Sequence, residues 1–576
     1  MITVLTPMVL LVVYAISILQ AGIGTLYGYN DIFGPLSRSV LANFELGALV
    51  LSTFILGYFT VKRQTNSGLA RLSFVVLVTA LLIAKYFFPF LAGNFYQNNF
   101  PDSFHIGYGE WVAITGRIPD VPNGLLTWQP GFWVTFATFV DVALGPTNNA
   151  FSSVFAFLMK WAPLLLTMTF LPCVYVLMRS YDVSSRLSAY SVILFLGLYP
   201  VPVWMAEVQG GLILYWLFLA SLGKVLLRKG RREWIIFAII SAAVVFVHLG
   251  IAIFAATALL AVLALALVVP KYRVLASPVT NSLVVFFLLF LTRMLYNTGI
   301  FLGSYLLFGL QSFSAFFRSP LAETLSGGYR PFPLYQDVIF LKDAVYVAIV
   351  IIPLVLLIGM GVKRSSPHTW IAAFVIAVTT LVLVPMMIGA GVGTGGVGGA
   401  LPYIPQTLTP FAALGFALYI DRKRGVGPER HARLAKGGRI AAIATVSMLA
   451  IMASYISLAG ANYLWYPQSE NLGEAGNGGP FLTCYVPVPN PCTVSATGYQ
   501  GGQPFVLRAQ SLYYSLSGDA NVHLAKGYYY AYYTDQIGAL YFVFGSLSVE
   551  ATKANQAIQQ GNILYSTPTA MLISIP

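Results

Sequence analysis

The feature that most constrains this chain is a succession of apolar runs, each close to the length that crosses a bilayer. A spanning helix needs about 20 predominantly apolar residues. Such runs read at 4–23, 44–61, 72–92, 150–178, 188–204, 209–228, 234–248, 249–269, 279–299, 343–362, 370–390, 404–420 and 439–463. That is about thirteen, with 234–269 so nearly continuous that its division into two spans is the weakest step. Composition agrees. Of 576 residues 58% are hydrophobic and only 9% charged, whereas a soluble domain carries about 25% charged residues to cover its surface. The expected fold class is an all-α polytopic membrane protein.

Charge placement orients the spans. The formal net charge is +13, which taken alone suggests a nucleic-acid partner. Yet 21 of the 32 Lys and Arg fall in six short segments, 62–71, 179–186, 224–232, 271–273, 363–364 and 422–439. Within or beside those segments stand only four acids, Asp182, Glu233, Asp421 and Glu429. Basic loops mark the cytoplasmic side, and with the N-terminus inside every one of the six falls there. No nucleic acid is required. The assignment depends on 234–269 crossing twice, since a single crossing would turn every later basic loop outwards. The N-terminal MITVLTPMVLLVVYAISILQAG has neither a basic start nor a small-residue cleavage site, so it reads as a retained span.

This topology places outside the loops 24–43, 93–149, 205–208, 300–342 and 391–403, and everything after about 464. Residues 131–145, GFWVTFATFVDVALG, are short for a span and read as a helix in the membrane interface. The glycine run 391–400 lacks the spacing of a phosphate loop. The chain divides into a transmembrane domain, 1–463, and a small extracytoplasmic α+β domain, 464–576. In the latter an amphipathic helix is expected near 547–560 with a strand after it. Cys173 reads as a small core residue. Cys484 and Cys492 stand in a Pro/Gly-rich outer segment, where an oxidising compartment would let them pair as a disulfide.

The longest polar interruption in the first half is 98–133, NNFPDSFHIGYGEWVAITGRIPDVPNGLLTWQPGFW. It carries Asp102, His105, Glu110, Arg117 and Asp120. Ionisable groups held at the end of a span are functional-site candidates by default. Asp102 has the chemistry of a general base or a metal ligand, and also of a helix cap. His105 suits a metal ligand, a proton relay or a solvated histidine. Glu110 suits a substrate contact or a solvated position, and Asp120 a turn. The loop 300–342 adds Arg318, Arg330 and Lys342, bases on a side that has few. Glu207 is a second-rank acid, Glu45 the main acid within a span, and His248 lies at the turn between two spans. Lys85 and Lys160 read as snorkelling lysines, and Arg293 needs an acidic or carbonyl partner inside the bundle.

The run PDSFHIGYGEWVAITGRIPDVPNGLLTWQPGFWV resembles the first large outer loop of the GT-C superfamily, membrane glycosyltransferases that use polyprenyl-phosphate-linked sugars. The matching features are Asp102, the stretch His105 to Trp111, the turn Gly116-Arg117-Ile118-Pro119 and the segment Trp128-Gln129-Pro130-Gly131. PYIPQTLTPFAALGFAL at 402–418 is similar to the segment that opens a late span in that superfamily, although Ala400-Leu401 stand where its arginine is usual. The tail lacks the tryptophan-rich signature of oligosaccharyltransferases.

The resemblance implies transfer of a sugar from a polyprenyl-phosphate donor to an extracytoplasmic acceptor at the plasma membrane. It casts Asp102 and His105 as catalytic, with Asp102 able to hold a divalent cation such as Mg or Mn. Arg318, Arg330 and Lys342, with Glu110 and His248, would bind substrate. Arginine suits this because it meets phosphate oxygens bidentately. The alternative from another class is a transporter or flippase for a lipid or polar solute, which predicts inverted repeats and broken helices near the bilayer midplane.

Overall fold

The computed structural model describes residues 2–21, 34–62, 68–87, 153–181, 183–199, 207–228, 230–247, 249–268, 270–296, 403–421, 441–452, 494–496, 527–532, 562–566 and 570–575, with 134, 135, 138 and 348. Within these the chain forms α1 (Ile2–Ala21), α2 (Gly34–Lys62), α3 (Gly68–Leu82), a π-helical turn (Ile83–Phe87), α4 (Ser153–Ser180) and α5 (Ser185–Leu198). There follow α6 (Glu207–Arg228), α7 (Arg231–Val247), α8 (Leu249–Val268), a 3-10 turn (Pro270–Leu275), α9 (Ala276–Tyr296), α10 (Tyr403–Asp421) and α11 (Ala441–Met452). Each coincides with one of the expected apolar runs. Of 343–362 only Ala348 is described, in helical conformation, and 370–390 lies outside the described residues.

One boundary differs usefully. The segment 34–43 was expected in a loop, but α2 begins at Gly34. Pro35 stands in its first turn, where a missing N–H and a φ near −65° cost nothing. Apolar periodicity marks the lipid-spanning part of a helix and is blind to its polar extension.

Relative helix directions follow from contacts. Gly197 of α5 faces the Phe54 ring of α2, Gly57 of α2 faces Ile193 of α5, and Tyr190 Oη donates to the Phe54 carbonyl at 3.3 Å. Numbers rise on one helix as they fall on the other, so the pair is antiparallel. Small residues at the seam let the two backbones approach, the usual solution where lipid removes any hydrophobic drive between helices. Further on, Phe170 of α4 meets Trp216 of α6 at 5.1 Å between ring centroids and Ser180 abuts Gly223, so numbers rise together and α4 and α6 run parallel; just past α4, Tyr181 Oη donates to the Leu219 carbonyl at 3.2 Å. Burial pushes the Tyr181 phenol above its ordinary range.

The uncertain run 234–269 is two helices that turn back on each other. Phe218 of α6 meets Phe237 of α7 at 5.4 Å between ring centroids, while Tyr215, one turn earlier, meets Phe254 of α8 at 6.3 Å. Had α8 continued in the direction of α7, Phe254 would lie well beyond the start of α6. Phe286 of α9 also meets Phe218, at 5.5 Å. Together these contacts bring the helix ends flanking 62–71, 179–186, 224–232 and 271–273 to one end of the bundle, called here the basic end. Helix α10 starts beside the last turn of α5 and packs along α5, which carries its last residue, Asp421, towards the same end.

The outward faces are apolar. On α1 Leu5, Met8, Val9, Val12 and Ile16 are exposed, and on α9 Val284, Phe287, Leu288 and Leu291. Spacings of three and four place each set on a single stripe of its helix. Such stripes suit hydrocarbon, and an aqueous surface of this kind would be an aggregation hazard. Cys173 is buried and free, as a small core residue should be.

Beyond residue 464 the described residues form one four-stranded sheet: β1 (Val494–Ala496), β2 (Gly527–Tyr532), β3 (Asn562–Ser566) and β4 (Ala570–Ile575), in the order β1-β2-β4-β3. β1 and β2 are parallel and the other pairs antiparallel. The tyrosine-rich strand β2, GYYYAY, is central, with Tyr529 opposite Ile573 and Tyr530 opposite Leu572. Aromatic residues favour such a strand because they fill the space over a pleated surface. The expected strand after 560 is β3. The helix expected at 547–560 lies outside the described residues.

Candidate functional site

The residues selected from the sequence for catalysis, substrate binding or a disulfide all fall outside the described set: Asp102, His105, Glu110, Arg318, Arg330, Lys342, His248, Cys484 and Cys492. The described residues do include the end of the bundle from which their loops depart. The loop 93–149 follows α3 and its π-helical turn, and the loop 300–342 follows α9. Both of those helices run away from the basic end. In 131–145 the described residues Val134, Thr135 and Thr138 are helical, and Thr138 Oγ1 donates to the Val134 carbonyl at 2.7 Å.

Lys85 sits in the π-helical turn and is fully buried. It does not snorkel. Its Nζ donates to three carbonyls around the end of α5: Leu196 at 2.9 Å, Gly197 at 2.5 Å and Tyr199 at 2.5 Å. The last four carbonyls of a helix have no partner within it, and they carry the negative end of its dipole. An ammonium has three donors and no acceptor, so three carbonyls match it. Tyr199 N–H returns to the Phe195 carbonyl at 2.7 Å, which satisfies another of these groups. A lysine thus completes the α5 terminus inside the protein, and its reach goes inwards because unsatisfied carbonyls are closer than water.

The same device recurs on the other loop-bearing helix. Arg293, fully buried near the end of α9, donates through Nη1 to the Val245 carbonyl in the last turn of α7. This is the carbonyl partner that its place in an apolar run demanded.

The α5 terminus is itself rigidly seated. Phe170, Phe195, Tyr199 and Trp216, from α4, α5, the α5 terminus and α6, are all fully buried, and every pair among them is in ring contact. The tightest pair, Phe195 and Tyr199, has centroids 4.9 Å apart. Edge-to-face pairs of this kind add about 0.5–1.5 kcal/mol each beyond burial. Trp216 Nε1 donates to the Thr407 carbonyl at 3.2 Å, which draws the start of α10 into the same cluster. Pro410 cannot donate to the carbonyl four residues back, and this opens the first turns of α10 next to Thr407. The late-span segment singled out in the sequence therefore begins on the end of α5 that Lys85 completes.

Glu45 is half-buried on α2, close to Gly47, where an added Cβ would lie 3.1 Å from Ile451 of α11. Among the described residues no group of three or more His, Cys, Asp and Glu could hold a metal ion. Sequence reasoning missed Lys85 because its three acceptors lie more than 110 positions away, and it missed Trp216–Thr407 for the same reason. The one available signal was a lysine well inside an apolar run.

No family model and no curated protein sequence matches the chain. Among solved structures it is similar to the archaeal oligosaccharyltransferase AglB from Archaeoglobus fulgidus, determined in complex with an inhibitory peptide and a dolichol-phosphate. That likeness has a TM-score of 0.51 at 12% identity, over 86% of this chain and 73% of the other. It is also similar to ArnT from Cupriavidus metallidurans in the apo state, with a TM-score of 0.45 at 13% identity over 88% and 98% of the two chains. At such identities a likeness speaks for fold. What the likeness shows here is a fold shared with AglB.

Proposed function

We propose that this protein is a glycosyltransferase of the plasma membrane that moves a sugar from a polyprenyl-phosphate donor to an acceptor outside the cytoplasm. The observation that carries the reading is the fold likeness to AglB, an oligosaccharyltransferase solved with dolichol-phosphate. The reading is supported by the directions of α3 and α9, the helices before the two candidate loops, both of which run away from the basic end. The basic end is then cytoplasmic and the opposite end faces outwards.

In this reading an acceptor hydroxyl attacks the anomeric carbon, the carbon–oxygen bond to the donor phosphate breaks, and the phosphate leaves with the electron pair. Arg318, Arg330 and Lys342 hold the phosphate as charge grows on it. Glu110 and His248 contact substrate. Asp102, with His105 beside it, either accepts the acceptor proton or holds a divalent cation, Mg2+ or Mn2+. Such a cation would supply Lewis-acid polarisation of the donor when bound.

The test is sugar transfer from a polyprenyl-phosphate donor by purified protein in nanodiscs. Removing a general base typically lowers rate by about 10²–10⁴-fold, so Asp102→Asn and Asp102→Ala should both be inactive and well folded. Asn caps a helix about as well as Asp, so a purely capping Asp102 leaves the Asn variant fully active, and that result removes Asp102 from the mechanism. Chelation with EDTA separates the two chemical roles. Loss of activity restored by Mg2+ or Mn2+ assigns the cation role, and indifference assigns the base.

A further inference from the structure

We infer that Lys85 and Arg293 are positioning residues for this reaction, each fixing the departure point of one of the two loops that carry its chemistry. The inference rests on the proposed glycosyl transfer and adds to it two buried groups that bond to helix-end carbonyls. Each side chain is fully buried near the end of a helix running away from the basic end; Lys85 donates to three carbonyls at the end of α5 and Arg293 to the Val245 carbonyl in the last turn of α7, neighbouring helices that run the same way. The chain leaves Lys85 for the loop holding Asp102 and His105, and leaves Arg293 for the loop holding Arg318, Arg330 and Lys342.

A hydrophobic side chain of similar length would fill either space. Buried charges are often replaceable by apolar groups without loss of stability. An apolar group could not supply direction. Nζ of Lys85 is held at one point by carbonyls of three residues, and those residues are locked in turn. Gly197 is in contact with Phe54, and Tyr199 belongs to the four-ring cluster. The π-helical turn Ile83–Phe87 adds a residue to the helical path, a feature often found next to functional segments because it re-aims the chain beyond it. Movement of this anchor propagates to the start of the catalytic loop, where a displacement near 1 Å costs about 10²-fold in rate.

The two anchors serve different loops, so their loss should have different kinetic signatures. Lys85→Met, assayed per folded molecule in nanodiscs, should lower kcat about tenfold or more with donor KM little changed, since it misplaces acid–base or metal chemistry. Arg293→Met should raise donor KM about fivefold or more with kcat largely kept, since it misplaces phosphate-binding groups. Lys85→Arg and Arg293→Lys retain charge and donors and should recover most of the loss. If a Met variant fails to fold, its charge-retaining partner decides, with the same parameter shifted by a smaller factor. General loss of stability cannot produce the crossed pattern. The inference is overturned if wild-type protein transfers sugar while the variants keep both parameters, or if both variants lose the same parameter. Wild-type protein silent with polyprenyl-phosphate donors overturns the proposed function and these roles with it.

Discussion

Gly197→Ala tests the seam on which the α5 terminus depends. An added Cβ would lie 2.1 Å from Phe54 Cζ, 2.6 Å from Cε1 and 3.3 Å from Cε2. Ordinary contact begins near 3.4 Å, so the ring must retreat by more than 1 Å. Phe54 is fully buried, and its carbonyl already accepts from Tyr190, so it has little room to turn. Overpacking of this kind costs about 1–3 kcal/mol, offset by the roughly 0.5–1 kcal/mol that Ala gains over Gly within a helix. The net expectation is destabilisation by about 0.5–2 kcal/mol. Equilibrium unfolding in mixed micelles, followed by tryptophan fluorescence, measures it. Phe54→Leu, which alone leaves a void, should partly rescue the Ala variant, with a coupling of about 1 kcal/mol in a double-mutant cycle. An Ala variant as stable as wild type, with additive effects of the two changes, would refute the interlock of α2 and α5.

Two further expectations use simpler readouts. Trp216→Phe keeps the ring cluster but removes the indole donor to Thr407, and should cost about 0.6–1.7 kcal/mol in the same unfolding assay, the range of interhelical hydrogen bonds in membranes; no loss would mean that α10 is held by packing alone. Cys484 and Cys492 should appear joined in mass spectra of non-reduced peptides from native membranes, closing a short loop for about 2–3 kcal/mol at most; finding both thiols free ends that idea.

Much of the bundle was legible because the bilayer imposes a simple rule on sequence. A run of apolar residues long enough to span must be a helix, since lipid offers the backbone no hydrogen bonds. Hence eleven of the expected runs meet described helices, including the two in 234–269 that the eye reads as one. Basic loops told the same story, since the helix ends that flank four of them converge. Pairing between helices was not legible. Lys85 was read as reaching for water because the long stem of a lysine in a span usually carries its charge out to the interface. Only the fold shows that the end of α5, over a hundred residues away, offers carbonyls nearer than the interface. Arg293 was half-legible: well inside an apolar run it needed a partner, but the sequence named no particular carbonyl. The chosen site residues lie in polar loops, where no period links residue to neighbour, and there chemistry and resemblance had to stand alone.

Lys85 and Arg293 also bear on how an anionic donor would meet this end of the bundle. Helices α3, α5, α7 and α9 run towards that end, and α6, α8 and α10 run back from it. Each terminus carries about half an elementary charge, negative where a helix ends and positive where one begins. Left bare, the ending helices would repel a phosphate and the beginning ones attract it. Lys85 and Arg293 donate hydrogen bonds to the ends of α5 and α7, two of the negative set. The starting termini keep their favourable field, and the repulsion from two of their neighbours is lessened by these donors. Under the proposed function, this arrangement favours the donor phosphate before the proposed contacts of Arg318, Arg330 and Lys342 form. It also explains why hydrogen-bond donors stand at these two buried positions when an apolar residue would have packed as well.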